Sequence, residues 1–221
     1  MIYDFFTNKK ILLKIKGKII VIGNSGNIFN NNYGEIINNF NVIVRLNNAP
    51  ISSYEKFIGS RTDIRICAHN AISNLHHNLL NNLKILIVWG TDTHLSNNNF
   101  NLLLNIKKKY PTLKIYKLRD DYLNYNYNLF NKYTGKIRNK MTWLSTGWFS
   151  IFFAKMICNN VYVHGFGFTD NNNICNYHYY DNKNGSQINY YNKNKNKMGH
   201  KFYIESFVFS NLIKNNIINK I

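Results

Sequence analysis

A chain of 221 residues with 45% hydrophobic content is long enough to bury one sizeable core, and its length calls for a single globular unit over residues 1–221. Twenty-eight Lys and Arg against ten Asp and Glu give a formal charge of +18, which favours nucleic acid, acidic membrane surfaces or anionic substrates as partners. The spacing of Cys67, Cys158 and Cys175 excludes a paired CxxC zinc site and a disulfide-dense scaffold, and no apolar run reaches the roughly 18 residues that span a bilayer.

The charge also has a compositional source, because Asn alone makes up roughly a fifth of the chain beside abundant Lys, Ile and Tyr. General anion attraction is therefore weighed ahead of dedicated recognition, and nucleic acid is not expected as a partner. Residues Met1 to Lys18 interleave Lys with apolar residues and carry no continuous leader-like core. A reducing, cytoplasmic location is expected, with peripheral contact at an anionic membrane as a further possibility.

In chain order, Lys18 to Ile22 predicts a buried strand that runs into the turn cluster Gly23-Asn24-Ser25-Gly26-Asn27. Further strands are predicted at Val42–Leu46, Asp63–Cys67, Lys84–Trp89, Leu113–Lys117 and Asn160–His164. Between them lie stretches long enough for helices around Ala71–Leu83, Leu95–Lys109 and Gly147–Cys158. From Tyr203 to Ile217 the residues Phe207, Leu212, Ile213 and Ile217 recur at helical spacing. The Asn/Lys-rich stretch 182–197 has no apolar period and reads as a mobile loop. Strands alternating with helices predict an α/β fold: one Rossmann-like, mainly parallel twisted sheet flanked by helices.

Ligands of such sheets bind beyond the carboxyl ends of the strands, where Gly23–Asn27 and Gly165–Phe168 both fall. Gly23 and Gly26 let the backbone approach a phosphate, while the amides of Asn24 and Asn47 suit a phosphate and a ribose or base edge. A dinucleotide site fits worse, since Phe29 replaces the third glycine and Arg45 stands near the expected acidic residue. Ser145 and Thr146 stand where a helix begins, so hydroxyls and free N–H groups there suit a carboxylate or phosphate. An ordinary helix cap explains the same two residues.

Four segments together carry a resemblance. Val21 to Asn27, with Tyr33-Gly34, Val44-Arg45-Leu46-Asn47-Asn48-Ala49-Pro50 and Gly59-Ser60-Arg61-Thr62, resembles the long sialyl motif of the animal-type sialyltransferases, glycosyltransferase family 29. Leu144-Ser145-Thr146-Gly147, followed by Asn160 to Gly167, resembles the short motif. Tyr177-His178-Tyr179-Tyr180-Asp181 is similar to the third, and His200 with Glu205 five positions on to the very short one. The stretch from about Ala68 to Lys140 carries almost none of the likeness. The family's motif disulfide is not expected, because Ile19 takes one cysteine's place while Cys158 stands at the other's. The family's anchor and stem are likewise expected to be missing.

The resemblance implies a GT-A-variant fold, a CMP-sialic acid donor, a glycan or glycolipid acceptor and inversion at the anomeric carbon. It implies His200 as the base for the acceptor hydroxyl and His178 as the donor to the departing phosphate, with Glu205 orienting its neighbours. Gly23, Asn24, Ser25, Asn47, Ser145, Thr146, Gly147, Gly165, Gly167 and Tyr179 are the implied donor-binding residues. No metal is expected, since Asp120-Asp121 are adjacent rather than spaced as Asp-x-Asp and Asp92 stands alone. Two alternatives stay open: a transferase or hydrolase of another CMP-activated acidic sugar, and a basic nucleic-acid-binding module.

Overall fold

The structure, a computed structural model, describes residues 1–91, 93, 95, 97–135, 142–167, 178–180, 199–200 and 202–221. Its strands are β1 (Ile2–Asp4), β2 (Lys18–Ile22), β3 (Val42–Leu46), β4 (Ile64–Ala68), β5 (Ile85–Trp89), β6 (Lys114–Leu118), β7 (Thr142–Trp143), β8 (Asn160–His164), β9 (Gly199–His200) and β10 (Asn219–Lys220). Along β2, Ile19 and Val21 enter one apolar layer while Ile20 and Ile22 enter the other. That alternation, with all four residues buried, is what a strand covered on both faces requires.

Eight strands form one sheet in the order β1-β6-β5-β4-β3-β2-β8-β10. Only β1 is antiparallel, against β6. The chain builds outward from β2 to β6 and then returns to place β8 on the other side of β2. The β2/β8 boundary is therefore the topological switch point, where the loops leaving neighbouring strands diverge and open a crevice. A separate two-stranded ribbon pairs β7 with β9 in parallel and sets Trp143 opposite His200.

Helices α1 (Gly34–Asn38), α2 (Glu55–Ile58) and α3 (Asn97–Lys109) accompany one face. The other face carries α4 (Asp120–Thr134), α5 (Thr146–Ile157) and α6 (Phe202–Lys214). Helix α5 is buried along most of its length, so its apolar run shows little sidedness. Tyr122 on α4 donates to the Phe149 carbonyl at 2.6 Å, and Asn126 accepts from the Trp148 indole at 3.1 Å, which locks α4 onto α5.

The predicted strands appear with ends shifted by at most one residue, but three features differ from expectation. Residues 71–83 form no α-helix; they fold as two 3-10 turns, His69–Asn74 and His77–Leu80, in a stretch whose Asn and Ser side chains compete with helical backbone bonds. Helix α4 was not foreseen, although Tyr122, Leu123, Asn126 and Phe130 bury one stripe and Gly135 ends it at φ 62°. In α6 the inward residues are Val208, Phe209 and Leu212, whereas Phe207 and Ile217 stand 60% and 41% exposed. The stretch 182–197 lies outside the described residues. Cys67 and Cys158 are free thiols, and burial pushes the Cys67 thiol up to about 12.

At the switch point two glycines are in direct apposition. A β-carbon on Gly23 would lie 2.3 Å from the Gly165 carbonyl oxygen, and Gly165 itself has φ 72°. The approach is held by Gly23 N–H donating to His164 O at 2.7 Å and Ser25 N–H donating to Gly165 O at 2.8 Å. Gly23→Ala should cost about 1–3 kcal/mol by overpacking. The expected readout is a lower urea midpoint at unchanged slope; an unmoved midpoint would refute the close contact.

Candidate functional site

The crevice at the switch point holds a cavity of about 250 Å³ lined by Asn24, Leu46, Asn47, Ser145, Thr146, Gly147, Gly165, Phe166, His178, His200, Phe202 and Glu205. Parts of all four motif regions thus meet across the ends of β2, β3 and β8 and the start of α5. A second cavity, of about 480 Å³, shares Asn47, Thr146 and His200 with the first. Its remaining lining includes His69, Trp89, Asp120, Asn124, Tyr127 and Trp143. The indole nitrogen of Trp89 is buried there without a hydrogen-bond partner.

The floor of the first cavity is the amino end of α5. Ser145 caps the helix, its Oγ accepting from Trp148 N–H at 3.0 Å. Thr146 and Gly147 follow, where helical N–H groups lack internal partners and the macrodipole favours negative charge. Ser145 in turn gives both its donors to one carboxylate: its N–H to Glu205 Oε1 at 2.8 Å and its hydroxyl to Oε2 at 2.5 Å. Burial raises the Glu205 carboxyl above its ordinary range, while the His200 charge and the two Ser145 hydrogen bonds pull the other way.

His200 is held from two sides, by the β7–β9 pairing and by its own ring. Nδ1 lies 2.8 Å from the Trp143 carbonyl. A carbonyl only accepts, so Nδ1 carries the proton in the neutral ring and Nε2 holds the lone pair. His178 stacks on Tyr180 with ring centroids 5.0 Å apart, and the Tyr180 hydroxyl accepts from Asn24 Nδ2 at 3.4 Å. The other amide atom, Asn24 Oδ1, is buried without a partner, an acceptor suited to a ligand hydroxyl or amine.

Asn47 is clamped in a left-handed conformation, φ 45°. Arg65, buried on β4, donates to its carbonyl at 2.6 Å, and Ala68 N–H donates to its Oδ1 at 3.0 Å. With Oδ1 occupied, the Asn47 amide nitrogen faces Thr146 Oγ1 at 3.4 Å and the cavity shared by both pockets. Arg45 beside it on β3 ties down the loop after α2 through the carbonyls of Ile58 and Gly59, at 2.7 and 2.9 Å. Neither buried guanidinium has a carboxylate partner among the described residues, and desolvation lowers Arg45 to about 10. Two positive charges thus lie behind the cavity wall, in the sense that favours an anionic ligand.

Four residues expected to touch the donor, Gly23, Ser25, Gly167 and Tyr179, are not among those that line this cavity. Gly23 backs onto Gly165, and a β-carbon on Gly167 would meet Ser25 Oγ at 3.2 Å. Ser25 is buried as the cap of a 3-10 turn, Gly26–Asn30. Tyr179 is buried, its hydroxyl donating to Pro50 O at 2.5 Å and its N–H to Asn24 O at 2.9 Å. His164, pushed down to about 4 by burial, stays neutral beside the site. Sequence reasoning had missed the structural grip of Glu205 on Ser145 and the whole α4 wall of the second cavity. A buried stripe at helical spacing in residues 122–130 is the signal that reveals α4.

A doubly wound parallel sheet with a polar, cation-backed crevice at its switch point is the architecture in which open α/β proteins hold their ligands. The chain belongs to glycosyltransferase family 29, the sialyltransferases, whose family model matches residues 16–217. The mouse (Mus musculus) alpha-N-acetyl-neuraminyl-2,3-beta-galactosyl-1,3-N-acetyl-galactosaminide alpha-2,6-sialyltransferase is 26% identical to it over 93% of this chain and 62% of its own length. Human (Homo sapiens) alpha-N-acetylgalactosaminide alpha-2,6-sialyltransferase 3 is 29% identical over 88% of this chain and 69% of its own. The chain thus spans somewhat under two thirds of the mouse relative. In fold it is similar to a crystal structure of a mammalian sialyltransferase, with a TM-score of 0.66 at 20% identity over 93% of this chain and 68% of that one. Another mammalian sialyltransferase structure, in complex with Gal-beta-1-3GalNAc-ortho-nitrophenol, matches with a TM-score of 0.62 at 21% identity, covering 93% of this chain and 69% of that one.

Removing the Glu205 carboxylate strands two buried Ser145 donors. Glu205→Ala is expected to cost about 1–3 kcal/mol, read as a fall in the urea midpoint, with Glu205→Gln recovering part of it. Equal stability of Ala, Gln and parent proteins would remove the structural role.

Proposed function

We propose that this chain is one catalytic domain that transfers sialic acid from CMP-sialic acid to a sugar hydroxyl of a glycan acceptor, with inversion and without a metal. The observation that carries the reading is that His178 and His200 both line the switch-point cavity although they come from separate segments of the chain. Family membership supports the donor, and the buried acceptor Asn24 Oδ1, the α5 terminus and the cations behind Asn47 suit its nucleotide, phosphate and carboxylate.

His200 lies on the boundary of the two cavities, which suits a base between donor and acceptor. With Nδ1 committed to the Trp143 carbonyl, Nε2 is the atom that takes the acceptor proton as the hydroxyl attacks the anomeric carbon. His178 donates a hydrogen bond to the departing cytidine monophosphate, offsetting the charge that develops on it. The second cavity, with Trp89, Tyr127 and Trp143 beside Asp120 and Asn124, offers apolar ring faces and hydroxyl partners, the mixture a sugar needs. The mouse and human relatives are alpha-2,6-sialyltransferases, which makes the α-2,6 linkage the first to assay.

The reading without metal rests on the donor chemistry and on carboxylate placement. A monophosphate leaving group can be stabilised by His, hydroxyl and N–H donors, and Glu205, the one carboxylate lining the first cavity among the described residues, is engaged by Ser145. Turnover is expected to be unchanged by a chelator; loss of activity restored by added divalent metal would overturn this part.

The mutational expectation separates the two imidazoles. His200→Ala should lower kcat by about 10²–10⁴-fold while leaving CMP-sialic acid affinity nearly intact, whereas His178→Ala should weaken both. Product assay with calorimetric titration of the donor checks this, and a wild-type rate in His200→Ala would refute the base assignment.

A further inference from the structure

Among the described residues, many of the lysines gather at one edge of the sheet. In a doubly wound sheet, helices that connect parallel strands run antiparallel to them, so helix ends and strand beginnings share one edge. That edge here is a lysine face. Lys18 and Lys114 begin β2 and β6, and Lys84 directly precedes β5. Lys107, Lys108 and Lys109 form the last turn of α3, with Lys155 and Lys214 in the last turns of α5 and α6.

Hydrogen bonds confirm the placement. Lys107 Nζ donates to the Leu113 carbonyl at 2.8 Å beside the start of β6, and Lys114 N–H donates to the Lys84 carbonyl at 3.1 Å. Among the described residues, Asp120 and Asp121 begin α4 and Glu205 lines the cleft, while Glu55 shares a cavity with Arg61 and Lys84, and Asp4, at the end of β1 beside β6, accepts from Thr7 and feels the Lys107 charge. At the lysine edge, Asp63 is bound by Arg61 and Lys84, both at 2.8 Å. Lys18, Lys108, Lys109, Lys114 and Lys214 are exposed and have no carboxylate partner among the described residues. Cations at helix ends complement the macrodipole, but Lys18, Lys84 and Lys114 are not on helices, so that effect does not account for the face.

We propose that this edge docks the protein on an anionic lipid surface, independently of what the cleft catalyses. The kind of cation decides between partners. Arg45 and Arg65 are buried, Arg61 is committed to Asp63 and Arg119 precedes α4 at the opposite edge, so the described face presents lysine alone. Compact ammonium charges suit the diffuse potential of a headgroup layer, whereas nucleic-acid recognition draws on bidentate arginine forks. Ile217, exposed in the turn after α6 at the same edge, supplies an apolar tip. Because the strands are five residues long, the cleft at the far edge would stand roughly 17 Å or more above the surface and open away from it. Such an enzyme would reach glycans that project from the membrane rather than sugars at headgroup level.

The test is sedimentation of the whole protein with phosphatidylcholine vesicles with and without phosphatidylserine, over a salt series. Binding is expected only with phosphatidylserine and should weaken as salt rises. Lys108→Gln with Lys109→Gln should lower the partition coefficient roughly thirtyfold, about fivefold per lysine. The charge-matched pair Lys10→Gln with Lys220→Gln, exposed residues beside Tyr3 and Val163 toward the other edge of the sheet, should lower it much less, and thermal melts establish that both variants fold. Equal loss in the two pairs would mean that net charge alone acts, and no binding to phosphatidylserine vesicles would end the proposal. Tighter binding to an oligonucleotide, lost in the same lysine pair, would reassign the face to nucleic acid.

Discussion

The arrangement of the cleft depends on a carboxylate removed from water. A buried carboxyl group is tolerated only when its oxygens are satisfied, and Glu205 meets that demand with the N–H and hydroxyl of a single residue, Ser145. Because Ser145 is also the cap of α5, the one contact fixes where α5 begins and where α6 lies against it. It also sets the position of His200, five residues before Glu205 and paired with the strand that precedes Ser145. Two segments sixty residues apart are thereby placed as one surface.

The opposite wall is set by backbone proximity rather than by charge. Gly23 and Gly165 allow β2 and β8 to end in contact, so that their loops separate only beyond the sheet. Asn47 completes that wall from β3, its left-handed backbone stabilised by Arg65 and by Ala68 N–H. Strain of this kind persists where neighbours over-determine the conformation, and the result is an amide whose donor end faces the cavity.

Chemistry and charge then divide between the two edges of the sheet. The carboxyl edge gathers hydroxyls, amides, two imidazoles and a helix amino terminus, groups that hydrogen-bond an anion directionally. The opposite edge gathers lysines, which act at longer range and without geometric demand. Buried Arg45 and Arg65 lie between, tied to loop carbonyls and close enough to bias the cleft toward anions.

Much of the fold was legible from residues alone because buried parallel strands are continuous apolar runs with sharp ends, as at Lys18–Ile22 and Asn160–His164. The motif glycines and Ser145 marked the switch point for the same local reason, since turns and caps constrain residue type strongly. Asn-rich composition hid what lacked such constraints: α4 has few strong helix formers, and 71–83 has enough apolar residues to suggest a helix that its Asn side chains disfavour. Burial of Tyr179 and Ser25, the grip of Glu205 on Ser145 and the proton position on His200 were decided only by tertiary structure. Each depends on a partner at least two dozen residues away or on the closing of the sheet, and no local pattern in a single sequence encodes which distant atom will complete a hydrogen bond.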